Sequence, residues 1–233
     1  MTASWLEFWS GKPSIYVSPR HLEAHYRAIG DDLITYLAGH GGRRILDFGC
    51  GDALAAPQIA ARGHHVMLYD GAPPVRERLG ARFAGTPNIR PLSEADWQNI
   101  APGSADLVVV NSVLQYLDDA TLDSLIDRWR EIVSPAGELM LADVITPDVG
   151  LVEDILDLLL PAWKHGFLLA ALNGLAATAV SDYRRLRKSL GLVRHDPKAL
   201  ADRLARHGMS CVKLKKNIGL NAHRSTFIAK PIS

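Results

Sequence analysis

Residues 43–55 read RRILDFGCGDALA: two arginines, a short apolar run closing on Asp47, glycines at 49 and 51, and the start of an alanine-rich stretch. The run 44–48 predicts a short buried strand, and ALAAPQIAARG predicts a helix with Pro57 near its start and Gly63 just past its end. Glycine tolerates positive φ and lets a ligand come close to the backbone. A strand that hands over to a helix through such a turn collects ligands at the C-terminal edge of a sheet.

The same alternation continues downstream. HHVMLYD (64–70) predicts a second strand, and PPVRERLGARF a helix opened by Pro73 and Pro74. NIRPL (88–92) is a third strand weakened by Pro91. ADLVVVNSV (105–113) is a fourth, with the continuous apolar character of a strand covered on both faces. Residues 119–133 carry one apolar stripe: Leu122, Leu125, Ile126, Trp129, Ile132 and Val133. SPAG (134–137) then turns the chain into a fifth strand, ELMLADVI (138–145). Alternating strands and helices predict a doubly wound α/β sheet.

Elaborations flank this core. Residues 1–17 are rich in aromatic side chains. Ser18 and Pro19 have the form of a helix cap and first turn, and Leu22, Tyr26, Ile29, Leu33 and Leu37 recur at helical spacing up to Gly39. Residues 149–190 are apolar and mostly helical in pattern, with stretches too short to predict a membrane span. A helix (197–207) and two strand-like runs, SCVKLKKNIG and HRSTFIAKP, complete the chain. The expected organisation is an N-terminal helical cap (1–39), a ligand-binding core (40–147), a helical insertion over an acceptor site (148–195), and a C-terminal helix with the last two strands (196–233).

The chain has 233 residues, 48% hydrophobic and 22% charged, an ordinary globular composition. Two cysteines imply no disulfide framework, and the N-terminus lacks the pattern of a signal peptide, so the expected location is cytoplasmic. The net charge of +1 hides an asymmetry: residues 181–233 hold 13 Lys/Arg against 3 Asp/Glu. Edge-strand lysines account for part of it. The alternative reading is an anionic substrate, partner or membrane surface. Near-neutral overall charge, with no basic groove lined by aromatics, argues against nucleic acid.

The order of residues in the turn discriminates between ligands. Asp47 precedes the first glycine, Asp52 follows the second, and the third glycine of a GxGxxG dinucleotide fingerprint is missing. Carboxylates at this mouth repel a diphosphate and suit a cation. Asp70, about 20 residues on at the end of the second strand, is placed to accept from both hydroxyls of a ribose.

DFGCGDA resembles the first motif of the class I S-adenosylmethionine-dependent methyltransferases, acid-x-Gly-x-Gly-x-Gly/Ala. YD at 69–70, EADW at 94–97, PGSADLVVVNSVLQYL at 102–117 and LIDRWREIVSPAGELMLADV at 125–144 follow in that family's order. The resemblance implies a Rossmann-like seven-stranded sheet whose last strand, HRSTFIAKP, runs antiparallel, with VKLKK as the edge strand. It implies S-adenosylmethionine as cofactor and S-adenosylhomocysteine as product. Asp47, Gly49, Cys50 and Gly51 would then line the methionine end, and Asp70 would hold the ribose. Asp96 would accept from the adenine amino group with Trp97 against the ring, and Asn111 would sit near the amino-acid portion.

The implied activity is in-line methyl transfer to a small molecule; the apolar insertion hints at a hydrophobic acceptor and the basic tail at an acidic group on it. Alignment supplies most of such a reaction, and a general base is needed only when the nucleophile arrives protonated. His165, His223 and Tyr16 are the candidates at the reacting centre. Tyr16 offers an aromatic face to a sulfonium. His21 and His25 share a helix face at i, i+4, a spacing compatible with metal ligation, but no third ligand is specified and no metal is expected. Two alternatives stand beside this activity: an NAD(P)-dependent oxidoreductase on a related sheet, and a cofactor-binding protein without catalysis. The sequence specifies neither the acceptor nor the oligomeric state.

Overall fold

The computed structural model describes residues 18–171 and 192–232. Helix α1 (Pro19–Tyr36) starts where Ser18 Oγ accepts from the His21 N–H at 3.1 Å, with Pro19 in the first turn. Seven strands follow: β1 (Arg44–Phe48), β2 (His65–Tyr69), β3 (Ile89–Pro91), β4 (Ala105–Asn111), β5 (Val133–Val144), β6 (Met209–Lys213) and β7 (Ser225–Pro231). Between them lie α2 (Ala56–Ala60), α3 (Pro73–Phe83), α4 (Glu94–Gln98), α5 (Asp119–Ile132), α6 (Leu151–Lys164) and α7 (Pro197–Arg206).

The strands form one sheet in the order β3-β2-β1-β4-β5-β7-β6. The first five are parallel, and β7 inserts antiparallel between β5 and β6. The expected seven-stranded architecture with an antiparallel last strand is therefore the observed one. Pro91 ends β3 at the sheet edge, where its missing N–H costs nothing. Helices cover both faces, so Leu46, Leu107, Val108, Val110, Leu139 and Leu141 are sealed from solvent. Trp129 and Ile126 of α5 cover one face, and Ile29 and Leu33 of α1 belong to the core on the other.

One expectation is corrected. SPAG (134–137) is not a turn before the fifth strand; β5 begins at Val133, directly after α5. Ala105 pairs with Val133 and Leu107 with Glu138, so the extra residues are accommodated as a bulge within the strand. Gly137 is needed there, because a Cβ would lie 3.0 Å from the Asp106 carbonyl oxygen.

Past β5 the insertion begins as α6, which keeps Pro161 inside its length. Ala162, Phe167 and Ala171 pack on Ala24 of α1, so the insertion and the N-terminal helix share a small apolar cluster. Among the described residues, no helix is long and apolar enough to cross a membrane.

Candidate functional site

The strand order reverses between β1 and β4, and the crevice outside their C-terminal ends is where this sheet type binds ligands. The glycine turn is clamped to the end of β2: the Gly49 and Cys50 N–H groups both donate to the Tyr69 carbonyl, at 2.7 and 3.3 Å. Gly49 has φ 72° and Gly51 φ 55°. A Cβ on Gly49 would fall 2.5 Å from Val113 Cγ2, and one on Gly51 2.7 Å from the Tyr26 hydroxyl. That hydroxyl accepts from the Asp52 N–H at 2.9 Å and donates to the Cys50 carbonyl at 3.4 Å, so α1 is strapped over the turn.

Asp70 completes the frame. Its carboxylate accepts from the Gly51 N–H at 3.0 Å and the Ala72 N–H at 2.9 Å, tying the turn to the start of α3. Burial raises its pKa, and those two backbone donors oppose the rise.

A cavity of about 300 Å³ opens above this frame. Asp47, Gly49, Cys50, Gly51, Asp70 and Asn111 all line it. The Asp47 carboxyl is pushed up to about 7, first by burial and then by the neighbouring Asp70 charge. Burial also pushes the Cys50 thiol well up, which leaves it an inert neutral side chain. Asn111 donates to Ser112 Oγ at 3.3 Å, but its Oδ1 is buried with no hydrogen-bond partner. A buried acceptor without a donor is costly, and here it points to a ligand that brings one.

Beside β4 and β5 the cavity has a second polar end that the sequence did not announce. Ser112 and Asp143 stand at the ends of these adjacent strands, both at φ 57°, a strained backbone for non-glycine residues. Ser112 Oγ donates to Asp143 Oδ2 at 2.5 Å and Asn221 Nδ2 to Asp143 Oδ1 at 2.8 Å. The Asp143 N–H donates to Asn217 Oδ1 at 3.1 Å. His21 and His25 of α1, Gln115 and Arg224 also line this end. His21 stacks on Phe167, ring centroids 5.0 Å apart, and burial together with the nearby His25 lowers its pKa to about 4. The shared helix face of His21 and His25 was the one sequence signal for this region.

The remaining candidates lie elsewhere. Asp96 accepts from the Ser93 N–H and hydroxyl as part of a capping box for α4, and pairs with Arg90 at 2.5 Å. Trp97 is a core side chain at 7% exposure, stacked on Tyr69 at 4.8 Å and tilted against Phe48 at 5.0 Å. Neither is among the residues lining the cavity. His165 is exposed and lines a separate groove with Arg27, Asp31 and Lys216. The His223 ring is paired with the buried Asp157 at 2.7 Å, and Asp157 also accepts from the Ala222 N–H at 3.0 Å; the pair clasps the loop before β7. Neither histidine lines the cavity, contrary to expectation: one follows the end of α6 at its groove with α1, the other is turned toward α6 by its aspartate. Tyr16 falls outside the described residues.

A family model for a methyltransferase domain matches residues 20–213. The chain is 32% identical over 132 residues to an uncharacterised methyltransferase of Mycobacterium tuberculosis, covering 56% of this chain and 64% of that one. It is 27% identical over 157 residues to the carboxy-S-adenosyl-L-methionine synthase of Escherichia coli, covering 65% and 61%. The matches thus span less than two thirds of either relative. The fold is similar to that of the 1,6-didemethyltoxoflavin N1-methyltransferase of Burkholderia thailandensis, with a TM-score of 0.63 and 14% identity over 99% of this chain and 87% of that one. That structure holds 1,6-didemethyltoxoflavin and S-adenosylhomocysteine. With a family match across most of its length, and a glycine turn, acid-tipped second strand and antiparallel seventh strand in place, the chain belongs to the methyltransferase-domain family and has the class I S-adenosylmethionine-dependent methyltransferase fold.

Proposed function

We propose that the chain binds S-adenosylmethionine at the β1–β4 crevice and transfers its methyl group in line to a small molecule. The observation that carries this is the cluster of acceptors at the glycine-turn end of the cavity: two carboxylates, Asp47 and Asp70, and the partnerless Asn111 Oδ1. An ammonium and a pair of ribose hydroxyls bring the donors that these acceptors lack. A dinucleotide diphosphate brings negative charge to the same wall, which disfavours an oxidoreductase.

When bound, the cofactor supplies a carbon already activated by a sulfonium. The chain's residues do the rest. Asp47 and Asn111 hold the amino-acid end, and Asp70 exchanges backbone donors for ribose hydroxyls while the Gly49 and Gly51 backbones allow close approach. Holding the two reactants in line removes several kcal/mol, roughly 7–11 for ideal alignment, from the barrier. Ile145 and Leu192 give the acceptor end an apolar wall, and Arg224 gives it a cation. That combination fits a small, partly apolar acceptor with an acidic group.

Titration calorimetry with S-adenosylhomocysteine and with NADH tests the cofactor assignment. Saturable binding of the former, weakened but still measurable in Asp47→Asn, is expected. Binding of NADH alone overturns it.

A further inference from the structure

We propose that His25, polarised by Asp143, takes the proton from a hydroxyl acceptor as the methyl group is transferred, so that the substrate is an alcohol of phenolic or enolic type. The proposal rests on the methyl-transfer reading above and adds to it the base and the acceptor class.

Four observations converge. His25, on α1, and Asp143, near the end of β5, line the same cavity. Asp143 is buried, at 7% exposure, and its carboxylate is fixed by Ser112 and Asn221, so its charge is held in place. Its backbone is held at φ 57°, a conformation that persists only where the surroundings enforce it. The imidazole of His25 meets Tyr26 edge to face, with ring centroids 5.4 Å apart and planes at 83°, which orients the ring on a residue itself strapped to the glycine turn.

The electrostatics suit a base. Burial lowers the pKa of His25, leaving it neutral and able to accept a proton, and the Asp143 charge opposes that shift and favours the imidazolium once formed. The other ionisable groups on the cavity wall are His21, Tyr26, Asp47, Cys50, Asp70, Tyr116 and Arg224. His21 is held neutral by its own burial. Asp47 and Asp70 stand at the cofactor end. Arg224 is the charge that opposes an imidazolium, and Asp143 offsets it.

The step balances without a further reactant. The oxygen lone pair forms the O–CH₃ bond, the S–C bond breaks with its electrons going to sulfur, and the hydroxyl proton passes to the His25 ring and then to water. The apolar side chains of Ile145 and Leu192 and the aromatic residues Tyr26 and Tyr116, all lining the cavity, suit a planar ring bearing the hydroxyl.

The probe is 4-nitrophenol, which is yellow only as the phenolate. It is titrated into protein saturated with S-adenosylhomocysteine, at a pH below that at which the free probe ionises. In the unmodified protein the bound probe is expected to show the phenolate band. In His25→Gln the phenolate fraction of bound probe is expected to fall about tenfold or more, with binding retained by equilibrium dialysis. In Asp143→Asn it is expected to fall by a smaller factor. A phenolate band equal in His25→Gln and unmodified protein overturns the proposal, as does failure of the S-adenosylhomocysteine complex to bind the probe at all. Failure of S-adenosylhomocysteine itself to bind counts against the methyl-transfer reading instead. Rates with S-adenosylmethionine add a second readout: His25→Gln is expected to lower kcat for 4-ethylphenol far more than for 4-nitrophenol above its ionisation pH, and equal losses count against the base.

Discussion

Asp70 Oδ2 accepts the Gly51 N–H at 3.0 Å, so the carboxylate that ends the second strand holds the glycine turn that follows the first. Asp70 thus orders the glycine turn, and the function proposed above gives the same carboxylate a second job, facing the ribose of the cofactor. Its removal costs both.

Asp70→Ala should weaken S-adenosylhomocysteine binding by roughly 10- to 100-fold, the value of one charge-assisted hydrogen bond of about 1.5–3 kcal/mol. The midpoint of thermal unfolding should fall by only a few degrees, because the buried core does not depend on this side chain. Calorimetry and a melting curve on the same sample separate the two effects. Unchanged affinity would remove Asp70 from the site.

The Asp47 carboxyl, raised to about 7, makes cofactor affinity depend on pH. Below that value the folded protein keeps a proton that an ammonium ligand must displace. Affinity should therefore rise about tenfold per pH unit up to about 7 and level off above it. The unliganded protein should move the opposite way. Its folded state binds the Asp47 proton more tightly than the unfolded chain does, so this group's contribution to stability falls as pH rises from the ordinary carboxylate range to about 7. Asp47→Asn should flatten both profiles; an affinity profile equally steep in that variant would show that another group titrates.

Much of this was legible from the chain alone because the signals are local. Glycine is favoured where φ is positive, and an acid at a strand end is placed by the strand itself, so spacing and motif pointed to Asp47, Gly49, Gly51, Asp70 and Asn111, which line the cavity. The polar end of the cavity could not. Asp143 belongs to it because β5 lies beside β4, and Asn221 and Arg224 because β7 returns antiparallel; these are neighbours in space only. His165 and His223 were attractive as odd residues in apolar or basic surroundings, but sequence gives no direction to a side chain. Trp97 shows the same limit, since its indole turns into the core between Tyr69 and Phe48.

Trp97 and Asp96 yield a contrast with Asp70. Trp97→Ala should cost about 3–5 kcal/mol of stability in urea unfolding, as expected for a large buried aromatic. Asp96→Ala should cost about 1 kcal/mol through loss of the α4 cap. Once each variant is folded, both should lose less cofactor affinity than Asp70→Ala. A loss from Asp96→Ala equal to that from Asp70→Ala would show that Asp96 leaves its cap to hold the adenine.

The contact between Gly51 and Tyr26 can be isolated by a double-mutant cycle. Gly51→Ala places a methyl at φ 55°, costing about 1 kcal/mol in backbone strain, and drives it to within 2.7 Å of the Tyr26 hydroxyl. Tyr26→Phe alone gives up the bond from the Asp52 N–H, worth about 1 kcal/mol. In the double variant the clashing oxygen is gone, so the combined loss should be smaller than the sum of the two single losses by about 0.5–3 kcal/mol. The strain at φ 55° remains in both backgrounds and cancels from the cycle. Strict additivity in denaturant unfolding would mean that α1 does not bear on the glycine turn, and that Tyr26 does not strap it.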